Sequence, residues 1–150
     1  MDDFVEEANI DMDNKRILLD CSMYIDRETA DAGSMQNSQK LTALFSSKTL
    51  DVVVSDEANF QFCAAQGCYY DLKEILPEEI YQKYSDYFVE YTVSNTNKTA
   101  VYGINLKDSQ ILQKEGAFDK NTEPIFSICV TSKQIDNSIA FLEYLMGEGN

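Results

Sequence analysis

Between Leu50 and Leu76 the chain reads LDVVVSDEANFQFCAAQGCYYDLKEIL, and within this stretch the structural period changes at one point. Asp51 to Ser55 holds a short, continuous β-branched run, the pattern of a strand covered on both faces. Ser55 and Asp56 are residue types that cap helix N-termini, Phe60, Cys63 and Ala64 recur at helical spacing, and Gly67 stands where a helix would end in a left-handed residue. A strand that runs straight into a helix restricts the fold to classes that alternate the two. In open α/β sheets such a junction lies at the carboxyl end of the strand, where ligand crevices form.

The flanking segments extend this alternation. Arg16 to Ile25, RILLDCSMYI, places Ile17, Leu19 and Cys21 on one side and Leu18, Asp20 and Ser22 on the other, which predicts a central strand. Asp20 would then need a hydrogen-bonding partner or a place beyond the covered part of the sheet. Ser34 is expected to cap a helix running to about Lys48, with Leu41, Leu44 and Phe45 inward. Strand, helix and strand in this order predict a βαβ unit with parallel pairing and a right-handed crossover.

Pro77 with Glu78 and Glu79 opens a helix to about Tyr84, because proline is tolerated in a first turn and acids there suit the dipole. Val89 to Ser94 and Ala100 to Leu106, separated by NTNKT, read as an antiparallel hairpin. Asp108 is expected to cap a short helix, Pro124 to Thr131 to form a buried strand, and Gln134 to Met146 an amphipathic helix ending before Gly147. Asp2 to Asn9 forms a short helix, and Asp11 to Asn14 a polar turn. The expected architecture is α/β: one domain over residues 1–150 with a mostly parallel sheet, helices on both faces and an antiparallel hairpin.

Composition narrows the chemistry. The formal net charge of -14 repels phosphate backbones and anionic headgroups, so nucleic acid is excluded as a natural partner. There is no histidine, which removes the commonest general base, nucleophile activator and zinc ligand. A carboxylate enzyme stays conceivable, but it needs two acids in a defined geometry that spacing alone does not supply. No cofactor is expected, since Gly33, Gly67 and Gly103 are isolated and form no phosphate loop. No metal is expected either, since a calcium loop begun at Asp11 fails at Lys15 and Arg16. Cys21, Cys63, Cys68 and Cys129 are read as unbridged thiols, with one open question: Cys63 and Cys68 flank Gly67, and a turn there would bring them close. No run reaches the roughly 20 apolar residues of a membrane span, so this segment is not expected to insert directly.

If the three strands are parallel neighbours, their ends converge on one rim. Ser22 and Tyr24 follow the first, Ser55, Asp56 and Glu57 the second, and Thr131 and Ser132 the third. Tyr24, Ser55, Asp56, Thr131 and Ser132 are therefore the candidate ligand-binding residues. Ser55, Asp56 and Ser132 are also the types that helix caps require.

The segments DVVVSD, AAQGCYYDLKEILP, VYGINL, PIFSICVTS and FLEYL, in this order, resemble those of bacterial extracytoplasmic solute-binding proteins with the type II periplasmic-binding fold. The likeness rests on Gln39, Lys40 and Leu41 before Leu50, Asp51 and Val52; on Ala65, Gln66 and Gly67 before Asp71 and Leu72; on Tyr102, Gly103 and Ile104; and on Ala140 to Leu142 with Tyr144 and Leu145. A typical member has two lobes, and this chain has the elements of about one. The resemblance implies a non-enzymatic, extracytoplasmic domain, tethered to the membrane by a segment absent from this chain. Such a domain would bind a small-molecule solute or serve as an accessory or sensory module of a membrane protein partner. It implies ligand contact at Ser55 and Asp56 and, more weakly, at Tyr24. The alternative is a protein-interaction or structural domain that kept the fold and lost the pocket.

Overall fold

The computed structural model describes residues 1–13, 15–29 and 31–147. Among them are seven helices: α1 (Asp2–Glu7), α2 (Ala32–Ser46), α3 (Glu57–Ala65), α4 (Leu72–Ile75), α5 (Glu78–Lys83), α6 (Gln110–Glu115) and α7 (Ile135–Leu145). Four strands, β1 (Val52–Ser55), β2 (Phe88–Val93), β3 (Lys98–Asn105) and β4 (Ile125–Ile128), form one sheet in the order β1-β4-β3-β2. Asn14, and with it the end of the turn expected from Asp11, lies outside the described residues, as does Ala30.

Every pairing in the sheet is antiparallel, which corrects the expectation of a mostly parallel sheet. The reason is the neighbour that β1 takes. Its partner is β4, which the chain reaches only after the hairpin, and β4 runs the other way, with Val52 opposite Ile128 and Ser55 opposite Ile125. The hairpin of β2 and β3 is present as expected.

Arg16 to Ile25 is not a strand, so the βαβ unit does not close. The segment takes no regular secondary structure and lies along α2, held by an ion pair between Lys40 and Asp20 and by Asn37 Nδ2 donating to the Tyr24 carbonyl at 2.8 Å. Asp20 also accepts from the backbone N–H and hydroxyl of Ser22. A carboxylate committed to three polar contacts at the surface would lose them inside a sheet covered on both faces. Leu18 and Leu19 consequently face solvent, Leu18 with 78 % of its surface exposed.

Helices do cover both faces of the sheet. One core cluster joins Leu72 and Leu76 of the α4 region with Val101, Ile104, Phe126 and Ile128 of the sheet and Leu142 and Leu145 of α7. The other joins Leu41 of α2 and Phe60, Cys63 and Ala64 of α3 with Ala100, Tyr102, Ile125 and Cys129. Alternation along β4 explains the division, since Phe126 and Ile128 point to the first cluster and Ile125 and Cys129 to the second. Helix α1 docks on α7 through Phe4, whose ring lies 5.0 Å from that of Phe141 and 5.4 Å from that of Tyr144.

Gly103 fixes how closely α3 approaches the sheet. The register slips between Val89 and Glu90, so β3 carries an extra residue at Tyr102. A Cβ at Gly103 would meet Ile125 Cγ2 at 2.5 Å and the Phe60 ring at 2.8 Å. Only glycine leaves room for that ring.

Candidate functional site

The antiparallel sheet divides the five sequence-derived site residues between its two ends. Thr131 and Ser132 sit at the start of β1: the Thr131 hydroxyl donates to the Leu50 carbonyl at 2.8 Å and the Ser132 hydroxyl to the Asp51 carboxylate at 2.6 Å. Ser55 and Asp56 sit at its other end, about 13 Å away by strand rise. Tyr24 joins the second group, because Asn59 Nδ2 donates both to the Ile25 carbonyl at 2.9 Å and to the Asp56 carboxylate at 3.0 Å. The structure thus places the backbone beside Tyr24 on the Ser55 and Asp56 side, with the Tyr24 ring in solvent, and leaves Thr131 and Ser132 apart. The single rim expected from parallel strands does not form.

The roles of these residues are largely structural. Asp56 caps α3, accepting from the Asn59 backbone N–H at 2.8 Å. Ser132 accepts from the Gln134 backbone N–H ahead of α7. The Ser55 hydroxyl is buried and has no hydrogen-bond partner among the described residues. Tyr24 is 72 % exposed and contributes its carbonyl rather than its ring to the local network.

A different group of residues builds the concave feature nearest this end. Arg27, which sequence reasoning missed, folds back over α3 and α2. Its Nε donates to Asn59 Oδ1 at 2.8 Å, its Nη1 to the Ser38 hydroxyl at 3.3 Å, and its guanidinium lies 3.6 Å from the centre of the Phe62 ring. Its Nη2 is buried and has no partner among the described residues. Beneath it a cleft of about 100 Å³ is lined by Ser38, Leu41 and Phe62 and by two thiols, Cys63 and Cys68.

The thiols meet because of how α3 ends. Gly67 adopts the left-handed conformation with φ 71°, its N–H bonds to the Ala64 carbonyl at 3.0 Å, and the Cys68 N–H reaches back to the Cys63 carbonyl at 3.1 Å. This is a Schellman cap, which sets the side chain three places before the helix end against the one just past the glycine. In most helices that contact is apolar, and here it is a pair of thiols. The four cysteines are unbridged.

Electrostatics differentiate the two sulfurs. The Cys63 thiol is held down to about 7, first by the hydrogen bond from the Cys68 thiol, then by the Tyr69 hydroxyl and the Arg27 charge, with burial opposing them. Cys68 is pushed upward by the same hydrogen bond and by burial. Burial pushes Cys129, deeper in the core, upward as well.

Other chemistries find less support among the described residues. No cluster of three potential metal ligands is present, and no helix is long and apolar enough to cross a membrane. No protein-family model matches the chain, and comparison with curated proteins and with solved structures also gave no match.

Proposed function

We propose that the chain is a non-catalytic protein-interaction domain whose recognition element is the segment Arg16 to Ile25. The observation that carries this reading is a strand-like apolar stretch left outside the sheet. Leu18, Leu19 and Tyr24 are 78 %, 59 % and 72 % exposed. Among the described residues, no backbone group of residues 17–25 pairs with another backbone group. A segment whose backbone groups are free of backbone partners can add as a strand to the open edge of a second protein, where backbone bonds give affinity and alternate side chains give selectivity. Its tethering by Asn37, Lys40 and Asn59 lowers the entropy lost on pairing. The partner we infer is a protein with a free strand edge and a basic surface, because a chain of charge -14 attracts such a surface and repels acidic ones.

The solute-receptor reading implied by the sequence resemblance has less behind it. With the strand ends separated, its ligand would have to enter the cleft of about 100 Å³ beside Arg27 or a hollow of about 140 Å³ lined by Lys133 to Asn137. Both are smaller than the roughly 300 to 1,000 Å³ of ordinary small-molecule sites.

Panning a library of extended peptides against the immobilised chain tests the proposal. Basic peptides with alternating apolar residues should bind, and Leu18→Glu combined with Leu19→Glu should abolish that binding. A metabolite library screened by thermal shift should be silent. Reproducible stabilisation by a metabolite, together with no peptide binding, would overturn the interaction reading in favour of a solute receptor.

A further inference from the structure

We propose that Cys63 and Cys68 form a peroxide-responsive dithiol, in which Cys63 is the reacting sulfur and Cys68 the resolving one, and which closes reversibly to a disulfide across the cap of α3. This inference is independent of the interaction reading. Three observations carry it. The Schellman cap, closed by the Cys68 N–H on the Cys63 carbonyl at 3.1 Å, sets the side chains of these two residues side by side at the end of α3. Both line a small cleft that reaches solvent beside the half-buried Cys68. Arg27 caps that cleft with a buried N–H that has no acceptor among the described residues.

The cleft selects the oxidant by size. A peroxide fits a space of about 100 Å³, whereas a peptidic disulfide such as oxidised glutathione does not. The chemistry balances with hydrogen peroxide as the oxidant. The Cys63 thiolate attacks one peroxide oxygen, the O–O bond breaks, and hydroxide leaves and takes a solvent proton to become water. Cys63 is now a sulfenic acid. The Cys68 sulfur then attacks the Cys63 sulfur, the S–O bond breaks, and the departing hydroxide takes the Cys68 proton to become a second water. In sum, two thiols are oxidised to one disulfide and one peroxide is reduced to two waters.

The arrangement suits each step. The unpartnered Nη2 of Arg27 is available as a donor to the peroxide oxygen that leaves, while the guanidinium charge favours the thiolate. The groups facing Cys63 are Arg27, Cys68, Tyr69 and Cys129. Arg27 is the single cation among them, and the thiolate form is favoured from about pH 7 upward. Cys21, although exposed, has no second thiol beside it and is left out of the reaction.

The test is titration of the full chain with hydrogen peroxide, followed by thiol counting and peptide mass mapping. Two of the four thiols should be lost, with Cys63 linked to Cys68 and both recovered on adding dithiothreitol. In Cys68→Ser the reaction should stop at the sulfenic acid, which dimedone traps on Cys63. Arg27→Gln should slow the wild-type reaction and shift its pH profile upward, a change that loss of packing alone would not produce. Preferential oxidation of Cys21 with Cys63 and Cys68 unreacted would overturn the proposal. So would a folded Cys68→Ser protein that gives no dimedone adduct on Cys63.

Discussion

Gly103→Ala isolates the contact on which the packing of α3 depends. The added methyl would lie 2.5 Å from Ile125 Cγ2, 2.8 Å from the Phe60 ring and 3.3 Å from the Phe126 carbonyl oxygen. Ile125 and Phe60 are almost fully buried, and the Phe126 oxygen belongs to the central strand, so none of the three can swing into solvent. Overpacking of a dense core costs about 1 to 3 kcal/mol. Against it stands the lower entropy of the unfolded alanine chain, about 0.4 to 1 kcal/mol, since Gly103 has no positive φ that alanine would strain. The net loss is about 1 to 2 kcal/mol, or roughly 2 to 8 °C in melting temperature for a chain of this length. Thermal unfolding followed by circular dichroism measures it. Adding Phe60→Leu should restore part of the loss, because the shorter side chain vacates the space the methyl needs. A Gly103→Ala protein as stable as the parent would refute the close approach of α3 to β3.

Four further outcomes follow from the same geometry. Asp56→Ala should cost about 1 kcal/mol in chemical denaturation, the usual value of a lost N-cap, while peptide binding by the folded protein stays unchanged. Leu18→Ser and Leu19→Ser should each leave stability within about 0.5 kcal/mol of the parent, because both side chains are already in solvent. Phe126→Ala, by contrast, should cost about 3 to 5 kcal/mol, because it removes a fully buried ring from the first core cluster. Asp20 is held far below the ordinary carboxylate range, chiefly by Lys40, so the anchoring of Arg16 to Ile25 should persist above that range and loosen only as pH falls through the depressed value. Carboxyl carbon shifts of Asp20 followed by NMR should show this, and Lys40→Ala should return its titration toward the normal range.

Much of the local structure was legible because it depends on neighbours in sequence. The cap at Asp56, the apolar positions of α3, the left-handed Gly67 and the turn between β2 and β3 all follow from residue types a few places apart. Small displacements have equally local causes. Asp31, three residues before Ser34, takes the cap of α2, and Ser109 rather than Asp108 caps α6 while Asp108 accepts from the Tyr87 hydroxyl. Strand direction was not legible. A β-branched run such as Val52 to Val54 announces that both its faces are covered, but not whether the chain beside it is Arg16 to Ile25 or Ile125 to Ile128. The decision turns on Asp20, whose alternation pattern fits a strand and whose surface ion pair with Lys40 holds the segment against α2 instead. The same distinction separates the site residues. The thiol contact was foreshadowed by Cys63, Gly67 and Cys68 at cap spacing, whereas Arg27 reaches its position through tertiary hydrogen bonds that no local pattern encodes.

Hydrogen exchange at the amides of residues 17–25 reports whether this segment is free to pair with a partner strand. In the free chain these amides should exchange at nearly the rate of an unfolded peptide, and they should slow markedly when a strand-forming basic peptide is bound. Slow exchange in the free chain, matching that of residues 125–128 in the sheet, would contradict the account, since it would place the segment inside the fold rather than on offer to a partner.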